Sequence, residues 1–338
     1  IQNAEGTVSL NYNGQNVDVV VIGRGSPNRT HPEFANKNGT SRVKYYNWFQ
    51  WNSTVNGSVA NGTYADESYH TQDANAACAV ASIVAGNEYG WARGANIYSL
   101  DYTLIPSITD EADAMAKAFN YVNLFQQNKS INPLTGVKNP TIVVTSSMLY
   151  KITDPATPIT INYRGTPTGP STFSTATLET YNISTPYSNI ADSRIFTSYD
   201  SDALNSAVTS CIGSGIIVVG PAGDFTNYAD LTTGPDYNNT IDDGSSVWYY
   251  NRGTGVGSTP GVISVGATDS KSVESEALYS GVGPRVNLFA PGTDIMVSMN
   301  SKLGVHNDIV GETPPVTLDP RSNLFYVGKV SGSIYAAA

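Results

Sequence analysis

The stretch SAVTSCIGSGIIVVGPAGD, residues 206–224, contains the pattern that decides the fold. Its first part belongs to a helical face of five apolar residues spaced three or four apart: Leu204, Ala207, Val208, Cys211 and Ile212. Gly213 and Gly215 are typical of the end of a helix. The apolar run that follows, GIIVVG at residues 215–220, is typical of a strand buried on both faces. The stretch therefore predicts one helix–strand unit of an α/β fold.

Similar strands and helices alternate along the rest of the chain. Five further segments have the composition of buried strands: residues 17–23 (VDVVVIG), 95–100 (ANIYSL), 141–148 (TIVVTSSM), 261–267 (GVISVGA) and 285–292 (RVNLFAPG). A helix is predicted over residues 75–85, with Gly86 after its last turn. Another is predicted to begin after Thr109 as N-cap, because the acidic residues Asp110 and Glu111 follow it. The alternation predicts an α/β, doubly wound, mostly parallel sheet with helices on both faces, whose ligands bind beyond the carboxyl ends of the strands.

Three stretches, residues 42–73, 149–199 and 231–259, lack a clear period and contain many Tyr, Asn, Thr, Gly or Pro residues. They predict long loops or small β excursions, inserted into a single domain that spans residues 1–338 and is expected to be part of a longer chain. Aromatic residues in such segments either form contact surfaces or pack as small local cores, and the sequence favours neither interpretation.

The composition excludes several classes of function. The 338 residues carry a net charge of −10, which is unfavourable for binding to nucleic acid. No apolar run approaches the roughly 20 residues of a membrane-spanning helix. Cys78 and Cys211 lie outside any CxxC or Cys/His cluster and are expected to be small buried side chains, so no cofactor is predicted. Asp242 and Asp243 fit a calcium site less well than a solvated turn.

The same segments resemble motifs of a known family. Six sequences resemble, in the family's order, the motifs of the subtilisin-like serine peptidases: VDVVVIGRGSPNRTHPEF, ACAVASIVAGN, GWARGANIYSL, SAVTSCIGSGIIVVGPAGD, GVISVGATDS and YSGVGPRVNLFAPGTDI. The resemblance covers the larger part of the chain and implies a subtilisin-like fold. In that family a Ser attacks the substrate, a His takes its proton, an Asp orients the His, and an Asn helps to bind the oxyanion.

The resemblance also implies that these catalytic residues have been replaced. The HPEF turn places Arg24 at the position of the catalytic Asp, and counting along the strand places Gly23 there. The position of the catalytic His falls on Ala79, that of the oxyanion Asn on Asp224 and that of the nucleophile on Ile334. A carboxylate at the oxyanion position repels a developing oxyanion unless it is protonated. The chain is therefore expected to be a degenerate peptidase without enzymatic activity.

Two further positions support this expectation. His31, in the HPEF turn, stands where the family has a structural His and is expected to be structural here. Met148 stands where the family has a Gly that leaves room for the substrate backbone, so the substrate cleft is expected to be crowded.

The alternative to an inactive protein is an enzyme whose catalytic groups lie at other positions of the chain. A deletion of one residue would bring Ser333 to the nucleophile position, where His70 and Asp73 could supply a new base, giving an active secreted or virion-associated hydrolase. Asp73 and Asp224 could instead form a carboxylate pair of the glycosidase type. The acid-acting relatives of the family also carry an Asp at the oxyanion position. They need a Glu in the predicted helix over residues 75–85, which contains none.

The sequences of two loops indicate a more specific biological context for the protein. RVKYYNWFQWN, residues 42–52, and GNEYGWARGANIYSL, residues 86–100, resemble subtilisin-like domains in structural proteins of tailed phages, notably those that infect cyanobacteria. The resemblance implies an inactive component of a phage tail, fibre or baseplate that acts as a scaffold or surface-contact module. Its expected location is the virion, an extracellular particle. Its expected partners are other virion proteins, copies of the chain itself, or the host surface.

Overall fold

The computed structural model describes residues 12–44, 46, 48, 75–105, 110–154, 156–183, 195–271, 273, 275–301 and 316–338. Within these residues the strands are, in chain order, β1 Asp18–Gly23, β2 Val43–Lys44, β3 Asn96–Asp101, β4 Thr141–Thr145, β5 Tyr150–Thr153, β6 Ile159–Tyr163, β7 Thr166–Ser171, β8 Ile195–Ser198, β9 Ile217–Pro221, β10 Thr240–Asp242, β11 Val247–Tyr249, β12 Ile263–Thr268, β13 Leu288–Pro291, β14 Ile295–Met299, β15 Val316–Leu318 and β16 Tyr326–Val330. The α-helices are α1 Ala76–Ala85, α2 Glu111–Asn128, α3 Thr175–Thr180, α4 Asp202–Gly213 and α5 Ser333–Ala336.

Seven strands form the central sheet, in the order β13-β12-β9-β4-β1-β3-β2, and every neighbouring pair is parallel. All six strands that the apolar runs predict belong to this sheet, so the predicted doubly wound α/β fold is confirmed. β1 lies inside the sheet and all six of its residues are buried, as expected for a parallel strand that is covered on both faces.

Helices cover the two faces of the sheet. α2 and α4 pack on one face, over a core that includes Val20, Val143 and Val218. α1 packs on the other face, over Val19 and Val144. Successive residues of one strand thus enter opposite cores, as the two-residue period of a strand requires. In the part of the chain that the structure describes, no helix is long and apolar enough to cross a membrane.

The N-terminus of α2 differs from the prediction by one residue. The N-cap is Asp110, whose carboxylate accepts hydrogen bonds from the backbone N–H groups of Ala112 and Asp113. Thr109, the predicted N-cap, lies outside the described residues. An Asp at this position also interacts favourably with the positive end of the helix dipole, which explains the correction.

Two of the three stretches without a period contain β-structure, not long loops. Strands β6 and β7 come from residues 149–199, strands β10 and β11 come from residues 231–259, and the four form one antiparallel sheet in the order β11-β10-β6-β7. This sheet has its own apolar core, which includes Ile159, Ile161, Leu178, Ile241, Trp248 and Tyr250. The interpretation as a local core therefore holds for these residues. The stretch 42–73 lies largely outside the described residues.

A third sheet, β14-β16-β15, packs on α1 and is joined by a buried carboxylate to the turn Pro32–Phe34. Glu33, in this turn, is fully buried. Its carboxylate accepts hydrogen bonds from Nη2 of Arg321 at 2.7 Å and from the backbone N–H groups of Glu88 and Tyr89 at 2.9 and 3.0 Å. A buried charge is stable only when it is paired and hydrogen-bonded in this way.

His31 caps the same turn, as its expected structural role requires. Its Nδ1 accepts a hydrogen bond from the backbone N–H of Glu33, and its ring stacks on Phe325 with the centroids 4.5 Å apart. The ring is fully buried, and desolvation lowers the pKa of the imidazole from 6.5 to about 4, against the attraction of Asp319. The unfolded chain therefore binds a proton between these two pH values that the folded chain does not bind. Stability is full above pH 6.5 and falls as the pH falls toward 4.

We expect His31→Asn to remove this pH dependence. Asn retains an acceptor for the N–H of Glu33 but does not titrate, so the variant should lose about 2 kcal/mol less of its unfolding free energy between pH 7 and pH 5 than the wild type does. Urea denaturation at the two pH values measures the difference. Because each protein is compared with itself at pH 7, the loss of the ring stacking in the variant does not affect the comparison. Equal losses in both proteins would contradict the role of His31.

Candidate functional site at the carboxyl ends of the central strands

The four positions predicted for a degenerate active site lie at the carboxyl ends of central strands or on helices beside them. Arg24 follows β1 directly, Asp224 follows β9, Ala79 lies in α1 and Ile334 lies in α5. A hydrogen bond joins the segments that contain Asp224 and Ile334. One carboxylate oxygen of Asp224 accepts a hydrogen bond of 2.8 Å from the backbone N–H of Ser333, the residue before Ile334.

The serine hydroxyl groups near this contact are closed to a substrate. Ser333 is fully buried, and its Oγ donates a hydrogen bond to Sδ of Met148 at 3.4 Å. Ser331 is 5% exposed, and its Oγ accepts a hydrogen bond from the backbone N–H of Asp294. Ile334 is partly exposed but has no nucleophilic atom. A nucleophile must come within about 3–3.5 Å of the reacting carbon, which neither hydroxyl can do in this conformation.

Asp224 is a buried carboxyl group at the position that the sequence resemblance assigns to the oxyanion Asn. The residue is buried, and its Oδ2 has no hydrogen-bond partner among the residues that the structure describes. Burial raises the pKa of the carboxyl group to about 7, although the hydrogen bonds with Ser333 lower it. An ionised carboxylate only accepts hydrogen bonds, whereas an oxyanion needs donors. Here the carboxylate also accepts a hydrogen bond from the backbone N–H of Ser333.

The backbone after Asp224 is held in an unfavourable conformation. Phe225 and Thr226 have φ angles of 60° and 53°, in the left-handed region that non-glycine residues, and β-branched residues above all, rarely adopt. The backbone N–H of Asp224 donates to the hydroxyl of Tyr150 at 2.6 Å, and the ring of Phe225 stacks on Phe196. The sequence offers no signal for the contact with Tyr150, because the two residues are 74 positions apart.

Neither candidate position for the catalytic Asp carries an acid. A side chain at Gly23 would collide with Ser146, whose Oγ lies 1.7 Å from the position of an added Cβ. Arg24 donates to the hydroxyl of Tyr102 and forms an ion pair of 2.9 Å with Glu111, to which Tyr102 also donates. These contacts raise the pKa of Arg24 above its usual value. The guanidinium of Arg24, and not a carboxylate, is therefore the ionisable group that follows β1.

Ala79 is not placed to act on a substrate. It is buried in an apolar cluster with Val297, Met299 and Val330 of the third sheet. Ala76, in the first turn, is the one residue of α1 that is not buried. A base must be accessible to the substrate, so Ala76 is the position on this helix from which a longer side chain would reach solvent. Both residues carry only a methyl group.

The other candidate groups do not form a second reactive centre in the described residues. His70 and Asp73 lie outside those residues, so the dyad with Ser333 and the carboxylate pair with Asp224 stay predictions. No group of three or more His, Cys, Asp or Glu side chains in the described ranges is arranged to hold a metal ion. Cys78 and Cys211 are free and buried, as predicted, and burial raises the pKa of both thiols.

The aspartate pair considered for calcium lies in a turn. Asp243 accepts hydrogen bonds from the backbone N–H groups of Ser245 and Ser246, and the hydroxyl of Ser245 lowers the pKa of its carboxyl group to about 2. Asp242 accepts a hydrogen bond from the backbone N–H of Gly244. Side chains that close a turn in this way match the predicted solvated turn.

No protein-family model and no curated protein sequence matches this chain. Solved structures do match it over nearly its whole length. A cold-adapted subtilisin-like serine proteinase is 18% identical, with a TM-score of 0.52, and the alignment covers 98% of this chain and 75% of that one. The S41 psychrophilic protease is 14% identical, with a TM-score of 0.52 and coverage of 96% and 74%. Sphericase is 15% identical, with a TM-score of 0.51 and coverage of 98% and 76%. The chain therefore has the fold of the subtilisin-like serine proteinases.

Proposed function

We propose that this chain is a catalytically inactive subtilisin-like protein that serves as a structural component of a phage virion. The observation that best supports the loss of activity is the burial of Ser333 and the set of hydrogen bonds that it makes. Its hydroxyl is fully buried against Met148, and its backbone N–H is bound to the carboxylate of Asp224. The nearest candidate for a nucleophile is thus buried away from a substrate, and the ionisable group described beside it is the carboxyl group of Asp224 and not a histidine.

The proposed loss of activity also follows from the electrostatics of the site. Acyl transfer through a tetrahedral intermediate requires donors at the developing oxyanion. Asp224 supplies an acceptor that is negatively charged above its pKa of about 7. Gly23 and Arg24, the candidate positions for the acid that would orient a histidine, carry no carboxylate. Each change removes a different requirement of the reaction, so a single substitution does not restore it.

A structural role in a virion is supported by the loop sequences that resemble phage proteins and by the way in which the inserted segments fold. Only 14% of the residues are charged. The inserted segments form an additional sheet with a core of its own, which could serve as a contact surface. The proposal treats residues 1–338 as one domain that contacts other virion proteins, copies of itself or the host surface in a tail, fibre or baseplate. The alternative, a hydrolase that uses Ser333, His70 and Asp73, needs α5 to open.

A fluorophosphonate probe tests the loss of activity. We expect no adduct on Ser331 or Ser333, because neither hydroxyl is accessible or activated. Intact-mass spectrometry after incubation at pH 5 and pH 8 measures labelling, and an active subtilisin-like proteinase treated in parallel shows that the probe is competent. Stoichiometric modification of either serine at one of these pH values would refute the proposal and support the hydrolase alternative.

The variant Asp224→Asn tests the electrostatic argument. The pKa of Asp224 is raised in the folded chain from 3.8 to about 7, so the folded state holds a proton that the unfolded state releases. The stabilisation that this proton provides is present below pH 4 and lost as the pH rises to 7. Asn retains an acceptor for the N–H of Ser333 and carries no charge. We expect the variant to be at least as stable as the wild type at pH 8, to lack that loss between pH 4 and 7, and to remain inactive toward ester and peptide substrates.

The contradicting results for this variant are distinct. An unfolding free energy that falls equally in both proteins between pH 4 and 7 would show that Asp224 does not titrate as argued. Appearance of hydrolase activity in Asp224→Asn would show that the oxyanion position alone blocks catalysis.

Mass spectrometry of purified particles tests the virion role. We expect the protein in particles purified through a density gradient, at a fixed ratio to known structural proteins, because a scaffold is incorporated in defined copy number. The soluble fraction of the same lysate is the control. Recovery of the protein only from the soluble fraction, as a monomer, would contradict this role and leave the fold unaffected.

A further inference from the structure

A lysine and an aspartate form a buried ion pair at the amino ends of the central strands, opposite the candidate site. Asp18 is the first residue of β1, and Lys129 follows the last residue of α2. Nζ of Lys129 lies 2.9 Å from Oδ2 of Asp18, and the two side chains are only 7% and 4% exposed. The ion pair of Lys271 with Asp269 is different, because its lysine side chain is 64% exposed.

The other carboxylate oxygen of Asp18 is held by two side-chain amides. Oδ1 accepts hydrogen bonds from Nδ2 of Asn96 at 2.8 Å and from Nδ2 of Asn139 at 3.0 Å. Donors of this kind stabilise the negative charge that develops on an oxygen when its carbonyl carbon is attacked. Oδ1 therefore has the surroundings of a developing oxyanion, whereas Oδ2 faces the lysine.

The amino group of Lys129 is held in place and shielded from water. Its Nζ also donates to Oγ1 of Thr141 at 2.6 Å, and that hydroxyl donates in turn to Oε1 of Gln126. Nζ lies 5.0 Å from the ring centre of Phe125. Burial lowers the pKa of the Lys129 ammonium, although the hydrogen bond with Asp18 raises it. Desolvation activates a lysine as a nucleophile, because the neutral amine and not the ammonium attacks.

We propose that Lys129 and Asp18 condense to an intramolecular isopeptide bond that joins the end of α2 to the start of β1. This inference goes beyond the proposed function and does not depend on it. Nζ is 2.9 Å from Oδ2, and a C=O bond is about 1.2 Å long, so Cγ of Asp18 lies at most about 4.1 Å from Nζ. Reacting atoms are poised at about 3–3.5 Å, so a shift of about 1 Å or less brings them together.

The condensation is a loss of water and needs no oxidant or other reactant. The ammonium first transfers a proton to Oδ2 along their hydrogen bond, which gives a neutral amine and a carboxylic acid. The nitrogen attacks Cγ, and the electron pair of the C=O bond moves to Oδ1, to which Asn96 and Asn139 donate. A proton of the attacking nitrogen then moves to the hydroxyl at Oδ2. The bond from Cγ to Oδ2 breaks, water leaves, and the C=O bond forms again at Oδ1.

The removal of two buried charges favours the product. A buried ion pair loses much of its hydration, and its replacement by uncharged groups is often neutral or stabilising. The amide carries no charge, and its oxygen keeps both amide donors. The crosslink closes a loop between residues 111 positions apart, so it restricts the unfolded chain as a disulfide of similar span does. An arginine at position 129 would keep its proton and could not react.

Intact-mass spectrometry of the purified 338-residue chain tests the proposal. We expect a mass that is lower than the mass of the sequence by one water molecule. Trypsin does not cleave after an acylated lysine, so we also expect a branched peptide in which the segment with Asp18 is linked to the segment with Lys129. Lys129→Arg preserves the cation and should restore the full mass. Lys271→Arg, at the exposed ion pair, is the matched control and should leave the loss of water unchanged.

A further variant tests the role of the amide donors. Asn139→Ala removes one donor to Oδ1 and leaves the ion pair of Lys129 and Asp18 in place. We expect it to slow the loss of water at least tenfold, since the developing charge on Oδ1 is less well stabilised. The intact mass of samples taken during cell-free synthesis measures the rate, and circular dichroism checks that each variant folds.

Two outcomes would overturn the proposal. The full mass of the sequence in the folded wild-type chain, with tryptic cleavage after Lys129, would show that the pair stays ionic. A loss of water that persists in Lys129→Arg would place the dehydration elsewhere, as in a succinimide at Asp243, which precedes Gly244. Neither result bears on the labelling of Ser331 or Ser333, so this proposal and the proposed function fail separately.

Discussion

Coverage of both faces of a parallel sheet is the constraint on which the rest of this structure depends. The central strands are almost continuously apolar, so each face needs its own layer of helices. α2 and α4 provide it on one side. On the other side α1 is itself covered by the third sheet, and that sheet is held in turn by the buried carboxylate of Glu33. Beside β12, Ala336 of α5 packs with Val265 and Ala267 in a further apolar cluster.

The hydrogen bond between the carboxylate of Asp224 and the backbone N–H of Ser333 affects both the packing of α5 and the candidate site. It fastens the first residue of α5 to the end of β9, which places that helix on the sheet. The serine hydroxyl beside this contact is buried against Met148. Burying a carboxyl group with an oxygen that has no hydrogen-bond partner among the described residues is unfavourable, and it persists here beside a backbone that is itself strained at Phe225 and Thr226. The hydrogen bond that anchors α5 thus uses the same carboxyl group on which the proposed loss of activity depends.

The inserted segments show how aromatic residues can be used away from a catalytic centre. β6 and β7 lie far along the chain from β10 and β11, yet the four pair in one sheet and enclose Trp248 and Tyr250. Arg252 lies over the ring of Tyr249, and Lys151 lies over Trp248. The few cations of this region therefore pack on aromatic rings, an interaction that stabilises a surface with little charge.

The sequence by itself determined the six central strands and the helices α1, α2 and α4, because these depend on the spacing and identity of neighbouring residues in the chain. For the catalytic residue types it supplied only the prediction of a replacement. It did not reveal that Ser146 fills the space beside Gly23, that Tyr150 holds the backbone of Asp224, or that Ala76 and not Ala79 is the accessible residue of α1. Those contacts join residues far apart in the chain, and the pKa of Asp224 depends on how completely these neighbours exclude water. Local periodicity sets the elements, whereas burial and long-range contacts exist only once the elements have packed. For that reason the tertiary structure alone decided which hydroxyl is buried and which residue of α1 is accessible.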